Sequence, residues 1–275
     1  MKKSKISFLN AAKEAAILSG KLLTASFGHL KLSQISSKAK NDFVTEIDKD
    51  SEKLIISTIK KYFPGHAIQA EESGIRSGKG VLWVIDPLDG TSNYIHNIPM
   101  FCISIGVLKD NKPIAAVVYD PTHSEMFTAE KGKGAYLNGH RIKVTKASSL
   151  AQSLMATGIP FRARERFGEY MASFDKISMA SVGVRRCGAA ALDLAYVACG
   201  RFDGFWELDL SPWDIAAGAL LIEEAGGKIT DLWGQKNYFK NGDTLASNGI
   251  IHKELVKITS KIFTPLSKDK RCLLS

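Results

Sequence analysis

Cysteine is scarce: the 275 residues contain 4, at Cys102, Cys187, Cys199 and Cys272, with no C-x-x-C pair and no neighbouring histidine cluster. That excludes a disulfide-stapled scaffold and a zinc module, and it suits small thiols in a reducing compartment. Long apolar runs are also missing. No stretch approaches the roughly 18 residues a membrane span requires. The N-terminal Lys2, Lys3 and Lys5 are followed by Asn10, Lys13 and Glu14 before any run of signal-peptide length. A cytoplasmic protein with no membrane partner is therefore expected. There is no internal repeat and no low-complexity segment, and no G-x-S-x-G elbow, Walker loop or G-x-G-x-x-G opens a helix after a strand.

A run of Lys and Arg with interleaved aromatics is absent from the middle of the chain, although the formal net charge is +9. Residues 1–61 carry a net +6 and residues 251–275 a net +4, which leaves residues 62–250 at −1. The basicity belongs to the ends and reads as a solvated Lys-rich face rather than a nucleic-acid surface.

What is present is enough apolar sequence, 45% of residues, for a chain of this length to bury about three quarters of its unfolded surface without a covalent staple. Phe8, Ala12, Ala15, Leu18, Leu22 and Ala25 predict a helix from about Ser7 to Phe27. Thr45-Glu46-Ile47-Asp48 is a capping box opening a second helix that reaches Pro64-Gly65, with a polar link from Ser36 to Asp42 between the two. From Val81 the period changes to two. Short β-rich runs and the Asn138-Gly139 hairpin signal predict a largely antiparallel sheet with helices on one side. Beyond Ser148-Ser149, strands alternate with helices. The division expected is an α+β subdomain over residues 1–147, an α/β subdomain over residues 148–265, and a disordered basic tail over residues 266–275.

The most informative stretch is Val84-Ile85-Asp86-Pro87-Leu88-Asp89-Gly90-Thr91-Ser92, an apolar strand running into two carboxylates and then a Gly-Thr-Ser turn. Asp86 and Asp89 can converge on one cation while Pro87 stiffens the turn between them. If a helix opens there, the amides and hydroxyls of Gly90, Thr91 and Ser92 can face an anion such as phosphate. Glu71, after the short strand Ala67–Ala70, could complete a hard-cation site. Asp214, in the first turn of a helix begun by Pro212, and Asp48 each have a simpler reading as helix-terminal carboxylates. An all-oxygen ligand set suits Mg²⁺ or Mn²⁺. Two such ions about 4 Å apart can bind a phosphoryl oxygen and activate a water. A metal-dependent phosphoryl hydrolase uses every one of these carboxylates.

These motifs resemble those of the inositol monophosphatases, and closely the bacterial extragenic-suppressor branch, from about Phe8 to Lys261. The resemblance rests on Asn41-Asp42-Phe43-Val44-Thr45 with Asp48, Glu71-Glu72-Ser73, Asp86-Pro87-Leu88-Asp89-Gly90-Thr91, Gly188-Ala189-Ala190-Ala191-Leu192-Asp193, Gly200 to Glu207, and Pro212-Trp213-Asp214. It implies a five-layer αβαβα sandwich, usually homodimeric, that hydrolyses a phosphate monoester with two to three Mg²⁺ per subunit and is inhibited by Li⁺. By position, Glu71, Asp86 and the Leu88 carbonyl would hold the first ion. Asp86, Asp89 and Asp214 would hold the second, and Glu71 would help a third. Gly90 and Thr91 would contact phosphate, with Thr91 and Glu71 orienting the attacking water and Asp48 supporting Thr91. Asp89, Ala190 and Glu207 would contact the hydroxyls of myo-inositol 1-phosphate, and Gly188 and Ala189 would line the same pocket. Ala189 stands where the family often has Thr or Ser, a change expected to weaken one polar contact. Lys38 and Lys40 straddle the position of a loop lysine, so either could serve.

Two rival readings stay open. One is a related phosphatase acting on fructose 1,6-bisphosphate, histidinol phosphate or a 3′-phosphonucleotide. The other is a binding factor in ribosomal-RNA transcription, with RNA polymerase or antitermination factors as partners. For that role Arg185-Arg186 would be an exposed pair near a dimer surface. Cys272-Leu273-Leu274-Ser275 matches a prenylation box and is read as a chance match in a basic tail.

Overall fold

A computed structural model of the protein describes residues 6–39, 42–161 and 163–265. The two leading helices form as expected, α1 (Phe8–Ser26) and α2 (Glu46–Tyr62). Ser7 caps α1 by accepting from the Asn10 N–H, and Thr45 with Asp48 closes the capping box of α2. The stretch between them is a correction: it is an antiparallel hairpin, β1 (Ile35–Ala39) with β2 (Asp42–Thr45), and not a plain polar link. Its run Ile35-Ser36-Ser37-Lys38-Ala39 has too few apolar residues to announce a strand.

Eight strands make the larger sheet: β3 (Ala67–Ala70), β4 (Gly74–Arg76), β5 (Leu82–Asp89), β6 (Cys102–Lys109), β7 (Lys112–Asp120), β8 (Glu125–Glu130), β9 (Gly134–Leu137) and β10 (His140–Ile142). Their order is β10-β9-β8-β7-β6-β5-β3-β4, antiparallel except for the β3/β5 pair. The short helix α3 (Thr91–Ile95) follows β5. A second sheet of five strands, in the order β12-β11-β13-β15-β14, comprises β11 (Leu154–Thr157), β12 (Gly183–Arg185), β13 (Gly204–Glu207), β14 (Lys228–Thr230) and β15 (Thr244–Ser247). Interleaved with it are α4 (Phe167–Ala180), α5 (Ala190–Ala198), α6 (Pro212–Glu224), α7 (Tyr238–Asn241) and α8 (His252–Ile262).

The period-two alternation of the strands assigns the layers. Trp83 and Ile85, Ile103 and Ile105, and Ala115 and Val117 pack against Ala12, Ala15, Ile55 and Ile59 of α1 and α2. The opposite face of the same sheet, through Ala116, Val118 and Phe127, packs on Leu194, Leu220 and Leu221 of α5 and α6. In the smaller sheet Ala156, Phe205 and Ala246 join that central cluster, while Met155, Trp206 and Leu245 pack on Tyr170, Ile177 and Leu255 of α4 and α8. The result is helix, sheet, helix, sheet, helix, the five-layer sandwich expected. Helices therefore cover both faces of the larger sheet, not one, because the second cover comes from α5 and α6 in the later half of the chain. Among the described residues no helix is long and apolar enough to cross a membrane.

One buried histidine makes stability depend on pH. His252 is 2% exposed, with Nε2 2.9 Å from Thr230 Oγ1 and Nδ1 2.9 Å from Ser247 Oγ. Burial, then the Lys228 charge, pushes its pKa down to about 4. The folded form binds this proton less well than an unfolded chain, whose histidine titrates near ~6.5. The contribution is complete above that value and is lost as pH falls toward 4, by up to about 3 kcal/mol. Urea denaturation at pH 7 and pH 4.5 is expected to show a smaller acid loss in His252→Asn than in the wild type.

Candidate functional site

Asp86 and Asp89 lie in the last four residues of β5, at the strand end expected, and a bulge decides their direction. Asp86 pairs with Ser104 and Asp89 with Cys102, so Pro87 and Leu88 together stand opposite Ile103. Two residues three apart on a regular strand point to opposite faces. One extra residue restores a common face. Both carboxylates then turn toward the middle helical layer, where Asp214 waits in the first turn of α6, and one oxygen from each of the three lies within 4.8 Å of the others. The Ser104 hydroxyl donates to the Trp213 carbonyl at 3.0 Å, which ties the start of α6 to the strand position paired with Asp86.

Backbone amides hold each of these carboxylates. The Leu88 N–H donates to Asp86 Oδ1 at 3.0 Å, the Ala191 N–H at the start of α5 to Asp89 Oδ2 at 2.7 Å, and the Ser211 N–H to Asp214 Oδ2 at 2.7 Å. A carboxylate has two oxygens and about four acceptor sites, so this anchoring leaves capacity for a cation. The helix-terminal reading of Asp214 and its place in the cluster are thus compatible. The same holds for Asp48: Oδ2 accepts from the Thr45 N–H at 2.8 Å, and Oδ1 from the Thr91 hydroxyl at 2.9 Å.

Packing these charges together is unfavourable without a counter-ion. Burial, followed by the charges of Glu71, Asp89 and Asp214, raises the Asp86 pKa well above the usual carboxylate range. Burial and then Asp214 push Asp89 up to about 7. Buried oxygens that repel one another, with no Lys or Arg paired to Asp86 or Asp89 among the described residues, match the demand of a hard divalent cation.

A cavity of about 340 Å³ opens on this cluster and is lined by Glu71, Asp86, Leu88, Asp89, Gly90, Thr91, Gly188, Ala189, Ala190, Glu207 and Asp214. Every metal-, phosphate- and pocket-lining residue expected from the sequence is on its wall, the loop lysine apart, and Asp48 is fully buried behind Thr91. Gly90, at φ 93°, caps α3, and a Cβ there would lie 2.8 Å from the Met100 carbonyl oxygen and 3.3 Å from Ala189. A helix does open at Thr91, the condition on which an anion-facing turn depended. Glu207 lines the same cavity. Burial and then Asp193 raise its pKa well above normal, and a Cβ on Gly158 would fall 2.0 Å from its carboxyl group.

Sequence reasoning missed several members of this site. Gly158, Ile159, Phe161, Arg186, Asp193 and Leu210 also line the cavity. Arg186 was expected on an outer surface; it is exposed, but it faces this cavity. Ser51 and Glu52 were overlooked too. The Ser51 hydroxyl donates to the Pro87 carbonyl at 2.9 Å, and the Glu72 N–H donates to Glu52 Oε2 at 2.7 Å. With Asp48 they make an i, i+3, i+4 row of buried polar residues on α2, bracing Thr91, the bulge and the Glu71-Glu72 turn. That polar stripe on the inward face was the available signal. The side chain of Lys38, the whole of Lys40 and the box Cys272–Ser275 lie outside the described residues.

The inositol monophosphatase family model matches residues 5–263. The chain is 45% identical over 250 residues to the Nus factor SuhB of Escherichia coli strain K12, covering 90% of this chain and 94% of that one. It is 40% identical over 261 residues to the inositol-1-monophosphatase of Mesorhizobium japonicum, covering 94% and 97%. The crystal structure of the extragenic suppressor protein suhB from Bartonella henselae matches with a TM-score of 0.89 at 38% identity, covering 92% and 98%.

Proposed function

The chain belongs to the inositol monophosphatase family, and from that premise we propose that it hydrolyses a phosphate monoester with Mg²⁺, the substrate being myo-inositol 1-phosphate. The observation that carries this reading is the convergence of Asp86, Asp89 and Asp214 within 4.8 Å in a cavity that Glu207 also lines. Two to three Mg²⁺ per subunit, with Mn²⁺ as a substitute, would be held by Glu71, Asp86, the Leu88 carbonyl, Asp89 and Asp214. The chemistry such ions supply is neutralisation of phosphate charge and activation of a water for in-line attack.

The chain's own groups have separable tasks. The Thr91 hydroxyl lies 2.9 Å from Asp48 Oδ1 and 3.0 Å from the Leu88 carbonyl, both acceptors, so its single proton is directed inward and its oxygen is left to accept from a water in the cavity. Glu71 would accept a hydrogen bond from the other O–H of that water, which fixes its orientation. The backbone at Gly90 and Thr91, opening α3, faces the phosphate. Asp89, Ala190 and Glu207 meet the ring hydroxyls, with Gly188 and Ala189 as the adjoining wall. Ala189 offers no hydroxyl, so the ring is read chiefly from the Glu207 side.

Phosphate release from myo-inositol 1-phosphate, fructose 1,6-bisphosphate, histidinol phosphate and a 3′-phosphonucleotide, each with Mg²⁺ and with EDTA, tests the reading. Myo-inositol 1-phosphate is expected to give the highest kcat/KM, with Li⁺ inhibiting. Turnover that survives EDTA, or a clear preference for another ester, contradicts it. The 45% identity to a protein called a Nus factor favours a second, compatible role as a binding partner in transcription complexes. Co-elution of the purified protein with RNA polymerase and antitermination factors checks that role, and its absence rejects it.

A further inference from the structure

The cavity wall carries a cation that the proposed chemistry leaves unused. Arg186 is exposed and lines the cavity. Its guanidinium lies across Gly188, where a Cβ would come 2.7 Å from Nη1. Gly188 has φ +86°, so the backbone there favours a residue without a side chain, and the arginine occupies the space. The segment is pinned from the phosphate side: Asn93 Nδ2, on α3, donates to the Cys187 carbonyl at 2.8 Å and to the Met100 carbonyl at 2.7 Å. The placement of Arg186 is therefore tied to the same short helix that begins at Thr91.

Arg186 makes no ion pair and donates no hydrogen bond among the described residues, yet its charge acts on both Asp193 and Glu207. Asp193 is 1% exposed, and its Oδ1 has no hydrogen-bond partner. The wall thus presents two carboxylates and a guanidinium with five uncommitted donors. Two ligand chemistries compete for it. A second phosphate on the substrate would bring its negative charge beside two buried acids whose ionised forms burial already disfavours, with a single cation to offset it. A neutral hydroxyl carries no such penalty, since it can donate to Glu207 and accept from Arg186 at once.

We propose that Arg186 is a specificity-determining residue that, paired with Glu207, recognises a substrate hydroxyl, so that the site selects polyol monophosphates over both hydroxyl-free esters and bisphosphates. The proposal rests on the phosphatase reading above and names the group that completes its selectivity.

The test compares wild type, Arg186→Ala and Arg186→Lys, as full-length protein with Mg²⁺, on myo-inositol 1-phosphate, p-nitrophenyl phosphate and fructose 1,6-bisphosphate. In Arg186→Ala the kcat/KM ratio of the inositol ester to the aryl ester is expected to fall about tenfold, chiefly through KM, as loss of one charged hydrogen bond implies. Arg186→Lys should recover part of it. The residue is exposed, so the thermal midpoint should stay within about 1 °C of wild type, as for most surface changes. An unchanged ratio overturns the proposal, and so does a loss confined to the bisphosphate, which would make Arg186 a second anion site. Failure of the wild type to hydrolyse any of the three esters would instead remove the phosphatase reading, and this proposal with it.

Discussion

Asp89→Asn is expected to lower Mg²⁺-dependent phosphate release by at least about a thousandfold while making the metal-free protein more stable. The two effects have one cause. Asp89 is 8% exposed, and burial together with Asp214 lifts its pKa to about 7. An unfolded chain would titrate this carboxyl near ~3.9. Between those values the folded protein binds the proton more tightly, so the group's contribution to stability falls as pH rises and is fully unfavourable above pH 7. The linkage amounts to about 4 kcal/mol at most. An asparagine carries no charge, and its carbonyl oxygen can keep the bond from the Ala191 N–H. Metal-free Asp89→Asn at pH 8 should therefore melt at least about 3 °C above wild type. Wild-type turnover in a folded Asp89→Asn would contradict the metal assignment. An unchanged or lower melting temperature in EDTA would contradict the electrostatic part.

The second large effect is expected at Gly106, far from the cavity in sequence. A Cβ built there lies 2.7 Å from Ala216 Cβ, 3.2 Å from Ala216 C and 3.3 Å from Ala217 N. Ala216 and Ala217 follow Asp214 by two and three residues on α6, so relief requires moving the helix backbone. Gly106→Val is expected to cost about 3 kcal/mol, the upper part of the range for overpacked cores. It should also weaken Mg²⁺ binding, because a helix displaced from β6 carries Asp214 away from Asp86. Urea denaturation and a Mg²⁺ titration of the same variant measure both losses. Lost stability with unchanged metal affinity would mean that Asp214 is not positioned through this contact.

The residues of the site were more legible than their arrangement. Asp86, Asp89 and Asp214 stand out because strand-end and helix-start carboxylates have few other uses at such positions. Their convergence does not follow from spacing, since it depends on a bulge at Pro87-Leu88 and on a glycine one strand away. The αβαβα layering came from the family resemblance. Local periodicity alone suggested helices on one side, because α5 and α6 return to the first sheet only in three dimensions. Ser51 and Glu52 were hidden by the opposite error: polar residues on a helix are read as solvated, and these two are buried 0% and 3% exposed. Arg186 was treated as one half of a basic pair. The pair divides, with Arg185 donating to the Val184 carbonyl and Arg186 turned to the cavity.

The central claim is that buried carboxylates brought together by the bulge and by α6 bind a divalent cation that the folded state needs. The most direct measurement is the thermal midpoint of wild type and Asp89→Asn against Mg²⁺ concentration at pH 8. A site that binds only the folded form must raise the wild-type midpoint with the logarithm of free Mg²⁺, on the order of 3 kcal/mol at a hundredfold excess over Kd. That rise is expected in the wild type, with a flat response in Asp89→Asn. A flat wild-type curve, or equal rises in the two proteins, would contradict it.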